Sequence, residues 1–489
     1  MIQYEDIKEN TPIIKGRIRR ESWGGLFWSH DITRIDAIND VAYELYELCD
    51  GTNTVAQIVD KLLEQYDIEE DILKKDVTEY LINSMVGQCV DGIDISGVDN
   101  IKERLEAFDK IGEGQRKSLA DQIGMIGVGK GSLKAPMKVL IEFTHNCNLR
   151  CVHCFANAEC KVTDQGYLEG ELNKEQWFKV IDTICDAGVF DVFVSGGEPL
   201  IRKDIFEIME YIHSKGMGFC LLTNATYIND ENVELLKKFG CFKVEANLDG
   251  YNAETYDLFR GVKGAFDASV KGIKACLEHN LPIRVNVTVT TINIGWLKEI
   301  ADAAYEIGIR EVCCVPLEQG GRADKNWEKL RIKDEKSAEK AYKEVYRYVR
   351  EKYGNKLMFI VPLENLEGIN EGEEPYGFAE HWDCNGLMPP CGAGKYHCSI
   401  NPYGKMILCP TAGSFIKIEP YDDLLTHSLS EIWNNSATLI DIRNAMKPQC
   451  FGCKHILCEV ACPVATYRKY GKFIPEFGED CESGVIRKR

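Results

Sequence analysis

The sequence predicts an α/β protein: a parallel sheet, open or barrel-like, preceded by a small winged-helix α+β domain and followed by a cysteine-rich region that needs metal to fold. Three observations carry this. Six apolar runs between residues 137 and 317 alternate with amphipathic helical stretches, the pattern of strands buried on both faces and joined by helical crossovers. The first 95 residues pass instead from strand-like material to three short helices. Eight of the 21 cysteines crowd into the last hundred residues, among Gly and Pro and with few periodic segments.

The elements follow in order. IIKGRIRRE and GGLFWSHDITRI read as strands, and 39–49, 55–66 and 72–86 as helices, with Gly51 and Thr52 as break and cap. Residues 96–135 are polar, carry Gly112, Gly114, Gly124, Gly127, Gly129 and Gly131, and read as a linker. MKVLIEF opens the sheet, and FDVFVS, GFCLLT, FKVEANL, IRVNVTVT and EVCCVPL continue it. Helices over 174–187, 204–214, 230–239, 266–279 and 296–307 lie between them. In such sheets the chemistry belongs at the C-terminal ends of the strands. The division is 1–95, a linker over 96–135, a core over 136–330, a bridging region over 331–383 containing a helix at 338–353, and a cysteine-rich domain over 384–489.

The 489 residues carry 58 Lys+Arg against 77 Asp+Glu, a formal charge of −19. That balance disfavours nucleic acid and anionic membrane as partners, since both bind through Lys and Arg. No apolar run of about 18 residues exists, and the first residues lack a basic segment followed by an apolar one. The expectation is a cytoplasmic protein with reduced thiols. There, closely spaced cysteines read as metal ligands, and scattered ones such as those in FCLLTN and VCCVPL as small buried hydrophobes.

Two clusters stand out. EFTHNCNLRCVHCFA places Cys147, Cys151 and Cys154 in a C-x3-C-x2-C loop directly after the first core strand. Three thiolates fill three corners of an iron–sulfur cube and leave one iron open. A structural zinc site is the alternative, with His145, His153 or Cys160 as fourth ligand. The second cluster reads Cys391-x6-Cys398-x10-Cys409, then Cys450-x2-Cys453-x4-Cys458-x3-Cys462, then Cys481. Eight thiolates make two four-coordinate sites, for iron–sulfur clusters or for zinc.

The first loop resembles the signature of the radical S-adenosylmethionine (SAM) superfamily. The resemblance implies a partial (β/α)6 TIM-like radical SAM barrel, with a [4Fe–4S] cluster held by Cys147, Cys151 and Cys154 and SAM chelated by the open iron. One electron would cleave SAM to methionine and a 5′-deoxyadenosyl radical. His153 takes the position that lies against the adenine. Ser195-Gly196-Gly197-Glu198-Pro199, after the second strand, resembles the GGEP motif that binds the SAM amino group: glycines let backbone approach a ligand, and a carboxylate pairs with an ammonium. Thr223 and Asn224 end the third strand. Asn247-Leu248-Asp249-Gly250 ends the fourth where relatives more often carry Ser, so Asn247 departs from the ribose-binding pattern, although an amide also hydrogen-bonds hydroxyls. Arg260 is assigned to the SAM carboxylate, with a solvated surface arginine as the alternative.

The C-terminal spacing resembles the SPASM domain, with one spacer a residue shorter than usual. By resemblance, Cys391, Cys398, Cys409 and Cys462 hold one auxiliary [4Fe–4S] cluster and Cys450, Cys453, Cys458 and Cys481 the other, making three clusters in all. Cys398 permits full ligation of the first; without it an iron stays open for a substrate cysteine, and Cys384 stands as a spare.

Residues 31–92 resemble a PqqD-like peptide-recognition domain, with a generic winged helix or dimerisation module as alternatives. In that family a leader peptide adds as a strand at the sheet edge; the edge expected here is 24–30. The acidic stretch QYDIEED would repel phosphate.

Together these resemblances imply a maturase of ribosomally made peptides from an anaerobic or low-oxygen bacterium, reduced by a flavodoxin or ferredoxin. The leading product is a Cys-to-carbon thioether, as in sactipeptide and ranthipeptide maturases. Carbon–carbon crosslinking, formylglycine formation and, outside enzymes, an iron–sulfur electron carrier are the alternatives. No general base is assigned; Asp249, Glu318 and Asp383 are candidates by position.

Overall fold

The structure, a computed structural model, describes residues 2–29, 34–95, 133–362, 391–413, 415–444 and 462–473. The chain divides into two compact units, 1–133 and 134–489. Most of the expected linker, 96–132, lies outside the described residues.

In the first unit α1 (Tyr4–Ile7), β1 (Ile13–Ile14), β2 (Arg17–Glu21), β3 (Gly24–Ser29) and β4 (Arg34–Ile38) precede α2 (Asp40–Leu48), α3 (Val55–Leu63), α4 (Glu70–Val86) and β5 (Val90–Asp91). Thr54 and Gln57 form a capping box that starts α3. Phe27, Tyr46, Ile58, Leu62 and Leu81 fill the core between sheet and helices. One expectation is corrected. The strand over 24–30 is not an edge: β3 is the centre of an antiparallel meander, pairing with β2 (Arg19↔Leu26) and with β4 (Leu26↔Ala37). The two-residue turn after Glu21 folds β2 back onto β3 and uses up one side of it, β4 takes the other, and the edges of this sheet are β2 and β4.

The second unit is built on a nine-stranded sheet. The six expected strands are β6 (Lys138–Glu142), β7 (Asp191–Ser195), β8 (Gly218–Leu222), β9 (Cys241–Asn247), β10 (Ile283–Val289) and β11 (Glu311–Pro316), all parallel and in sequential order. The helices between them are α5 (Lys174–Asp186), α6 (Ile205–Ser214), α7 (Asp230–Lys238), α8 (Ala253–Arg260), α9 (Ala265–Glu278) and α10 (Leu297–Ile307). Alternate strand residues, including Val139, Ile141, Val192, Val194, Phe219, Val244, Val285 and Val287, share one core with Trp177, Ile184, Ile208 and Ile273 of the helices. The opposite face carries Glu245, Arg284 and Asn286, which alternate with that apolar set. Glu245 accepts from Arg284 Nη2 at 2.5 Å and from Asn286 Nδ2 at 3.0 Å, so the buried carboxylate is paired.

Beyond β11 come α11 (Gly321–Leu330), α12 (Glu335–Tyr353), β12 (Met358–Ile360), β13 (His397–Ile400), β14 (Met406–Ile407), α13 (Leu429–Asn435), α14 (Ala437–Asn444) and α15 (Pro463–Tyr470). The periodicity showed α12 but neither α8 nor α11. β12 extends the sheet beside β11, and β13 joins its other side parallel to β6, with Cys398 opposite Val139. The described cysteine-rich stretch is thus stitched into the sheet, and Leu408, Leu429, Trp433 and Ile442 belong to the same core as the strands. Among the described residues no helix is long and apolar enough to cross a membrane.

Candidate active site

The C-x3-C-x2-C loop leaves the C-terminal end of β6, where a parallel sheet gathers its chemistry. It is held by backbone from three sides. Cys147 N–H donates to the Glu159 carbonyl at 2.7 Å, Arg150 N–H to Arg260 at 2.9 Å and Val152 N–H to Phe259 at 3.1 Å. Helix α11 supplies the third side: Arg322 donates from Nε to the Cys151 carbonyl at 2.9 Å and from Nη1 to the Ala158 carbonyl at 2.6 Å, and Asn326 Nδ2 reaches the Val152 carbonyl at 2.9 Å. Arg322 and Asn326 escaped the sequence reading. The available signal was Gly320-Gly321 after a strand: Gly321 has φ +53°, and a Cβ there would lie 2.4 Å from the Phe155 carbonyl oxygen.

The GGEP segment lies against this loop. Gly197 N–H donates to Thr144 and Glu198 N–H to Asn146. A Cβ on Gly196 (φ +135°) would sit 2.4 Å from the Thr144 oxygen, and one on Gly197 2.2 Å from the Asn146 oxygen. The close approach these glycines permit is to the cysteine loop itself. Glu198 is fully buried and accepts from Leu200 N–H at 3.1 Å, Thr223 Oγ1 at 2.8 Å and Asn224 N–H at 2.8 Å. Burial pushes its carboxyl up to about 7 despite these donors. Oε2 has accepted one bond and keeps lone-pair capacity for a further cationic donor. Asn224 also points Nδ2 at Cys147 Sγ, 3.8 Å away. Asn247 is half-buried at the end of β9, beside Asn286.

His153 is half-buried, packed on Phe259 at 4.6 Å between ring centroids, and its desolvation with Arg260 and Arg322 nearby drives its pKa well down. The ring is neutral and its Nδ1 is buried without a hydrogen-bond partner. Arg260 is not solvated: it is 4% exposed, ion-paired to the fully buried Asp249, and its Nη1 lies 3.4 Å from Cys151 Sγ. With Nη2 on Asp249 and Nη1 on Cys151, the guanidinium faces protein groups before any ligand arrives.

The donor set fits an iron–sulfur cluster. Burial, with Glu198 next, raises the Cys147 thiol to about 12, and burial also raises Cys151 against the pull of Arg260. Thiolates of this kind are formed by metal binding, which expels their protons. Among the described residues no three thiol, imidazole or carboxylate groups converge as ligands of a single ion. A tetrahedral zinc would need four at about 2.0–2.3 Å from one point, whereas a cluster takes its thiolates on separate irons.

Of the C-terminal thiols, Cys391, Cys409 and Cys462 come together. Cys391 and Cys462 share a hydrogen bond that lowers the first and raises the second, while Cys409 opposes the lowering of Cys391 and is itself raised by burial and by Cys462. Cys398 stands apart, fully buried on β13 with Arg443 as its charged neighbour. Cys450, Cys453, Cys458, Cys481, Cys384 and Asp383 lie outside the described residues. Between the end of β11 and the start of α15 opens a cleft of about 350 Å³, lined by Leu317, Glu318, Trp327, Cys462, Val464 and Arg468 among others. Glu318 stands exposed at its rim, with Arg468 as its charged neighbour.

Comparison with known proteins matches three family models: the radical SAM superfamily over 141–307, coenzyme PQQ synthesis protein D (PqqD) over 33–83, and the iron–sulfur cluster-binding SPASM domain over 391–454. The AdoMet-dependent heme synthase of Methanosarcina barkeri is 28% identical over 70% of this chain and 95% of its own. The antilisterial bacteriocin subtilosin biosynthesis protein AlbA of Bacillus subtilis is 26% identical over 76% of this chain and 71% of its own. Streptococcus suis SuiB, solved alone, with S-adenosylmethionine and with precursor peptide SuiA, is similar in fold at TM-score 0.63; the structure of SuiB alone is 17% identical and covers 94% of this chain and 97% of its own.

Proposed function

As an enzyme of the radical SAM superfamily that carries PqqD-like and SPASM domains, this protein, we propose, matures a ribosomally made precursor peptide by installing a thioether between a cysteine sulfur and a carbon. The observation that carries the reading is the trio of buried Cys147 and half-buried Cys151 and Cys154 at the end of β6, with Glu198 bonded to Asn146 of their loop and to Thr223 and Asn224, in a chain that also has a PqqD-like segment at 33–83. When bound, the cluster and SAM supply an electron and a carbon radical that removes hydrogen from the substrate.

The protein's own groups set the frame. Glu198 offers Oε2 to the SAM ammonium, neutral His153 offers a dry aromatic face, and Asn247 reaches ribose hydroxyls. Cys391, Cys409 and Cys462 hold one auxiliary cluster, for which the sequence resemblance alone supplies Cys398 as fourth ligand since it stands apart on β13, and Cys450, Cys453, Cys458 and Cys481 hold the second. Residues 1–95 take the leader by strand addition at β2 or β4, the outer strands of their three-stranded sheet. The balance would close: the peptide would give up one C–H hydrogen to the adenosyl carbon and its thiol proton to solvent as the carbon–sulfur bond forms, and the electron released is the one that clusters held by the C-terminal cysteines would accept. A flavodoxin or ferredoxin supplies the first electron, and the reaction belongs in the cytoplasm of an anaerobic or low-oxygen bacterium.

AlbA, whose name assigns it to bacteriocin biosynthesis, and SuiB, solved with its precursor peptide, support a peptide substrate. A haem precursor is the second reading, favoured by the match over 95% of the heme synthase. Anaerobic incubation with SAM, dithionite and the precursor encoded beside the gene tests both. The thioether reading expects 5′-deoxyadenosine and a peptide lighter by two hydrogens, with one cysteine no longer alkylated. A lighter peptide with every cysteine free would indicate carbon–carbon crosslinking, and turnover of an iron porphyrin with an inert peptide would favour the second reading.

A further inference from the structure

Arg260 occupies an unusual place for a guanidinium. It ends α8 inside the protein, 4% exposed, with its carbonyl accepting the Arg150 N–H of the cysteine loop and Nη1 3.4 Å from Cys151 Sγ. Its counter-ion is Asp249 on the loop after β9, itself fixed by the Thr288 N–H at 2.6 Å on Oδ1 and by Asn293 Nδ2 on its carbonyl. Nε is buried without a partner. A charged donor so placed costs desolvation unless it gains from its neighbours. One carboxylate neutralises it, the Tyr256 ring lies 5.2 Å from the guanidinium carbon, and the remaining hydrogen-bonded contact of its side chain is the sulfur.

We propose that Arg260 is a positioning residue that sets the reduction potential of the cluster on Cys147, Cys151 and Cys154 through its hydrogen bond to Cys151 Sγ, with Asp249 setting how much of its charge that sulfur feels. The inference rests on the reading of these cysteines as [4Fe–4S] ligands and adds a role other than the SAM carboxylate contact expected from the sequence. Reduction adds negative charge to the cluster, and a cationic donor at a ligating sulfur stabilises the reduced state and raises the potential. Asp249 opposes this by holding the guanidinium's other amino group. The pair therefore acts with opposite signs on one observable, which a purely structural salt bridge does not do.

The test is an EPR-monitored redox titration of the full-length, reconstituted enzyme, following the component that SAM perturbs, with iron content and SAM affinity measured alongside. Arg260→Gln removes charge and is expected to shift that potential negative. Arg260→Lys keeps charge but loses the planar reach and is expected to shift it less in the same direction. Asp249→Asn keeps an acceptor for Thr288 and is expected to shift it positive. Wild-type potentials in all three variants, or shifts of one sign in Arg260→Gln and Asp249→Asn alike, overturn the inference. So does an unmoved potential in Arg260→Lys with SAM affinity reduced tenfold or more, which would make Arg260 a SAM anchor. A wild-type protein that binds no iron would instead overturn the cluster reading beneath it, so the two failures are told apart by iron content.

Discussion

Glu198 accepts the backbone N–H of Asn224 at 2.8 Å, and this bond ties the loop after β7 to the end of β8. A carboxylate fully enclosed at that junction carries a pH signature. Its folded pKa, about 7, lies above its ordinary 4.5, so its contribution to stability is present below pH 4.5 and is lost as pH rises through 7. Glu198→Gln in cluster-free protein should gain on wild type between pH 5 and pH 8, by at most about 3 kcal/mol. Denaturant midpoints at the two pH values measure this; an equal difference at both would mean that Glu198 does not titrate as described.

The glycine contacts give a second prediction. With Asn146 O at 2.2 Å and Cys147 Cβ at 3.1 Å from a methyl at position 197, Gly197→Ala must push the cysteine loop outward. The variant should fold, by far-UV circular dichroism, yet retain less than half of the wild-type iron after reconstitution on the first cluster. Full retention would show that the loop yields without cost.

Arg322 tests the clamp from the other side. Arg322→Ala removes two hydrogen bonds to the Cys151 and Ala158 carbonyls and leaves those acceptors short of donors. Each lost bond is worth about 0.5–1.5 kcal/mol or more. The expected outcome is faster cluster loss to a chelator, with the global unfolding midpoint lowered modestly. Unchanged release kinetics would place the clamp elsewhere.

Iron stoichiometry checks the ligand sets. Three cubane clusters require on the order of 12 iron atoms per chain. Cys151→Ala should remove about four of them and abolish release of 5′-deoxyadenosine, while a plateau near four in the wild type would leave the C-terminal cysteines without clusters.

Removing residues 1–95 is expected to spare SAM cleavage and abolish modification of the full precursor, because the sheet and cysteine loop belong to the other unit. Mass spectrometry of the peptide reads this directly. Processing at the wild-type rate would exclude leader capture by the first unit.

The strands and helices of the core were legible because buried parallel strands are continuous apolar runs, as in MKVLIEF and IRVNVTVT, and their crossovers are amphipathic. Both motifs fell at strand ends, where the fold needs them. Helices α8 and α11 were not legible: each is short, and α11 is largely polar and charged, with Arg322 and Asn326 holding backbone carbonyls of a distant loop. β13 and β14 escaped for a related reason, since HCSI becomes a strand through the distant β6 and the two-residue MI only by folding back on HCSI. Arg260 illustrates the remaining gap, because its partners Asp249 and Cys151 lie 11 and 109 residues away in sequence.

The parallel seam between His397–Ile400 and Lys138–Glu142 has an evolutionary and practical corollary. A chain cut before the C-terminal third would expose a row of hungry main-chain groups along β6, an invitation to intermolecular zippering. Shortened versions of this protein are therefore expected to precipitate even where every remaining residue is native, and the cysteine-rich tail doubles as the sheet's protective selvage.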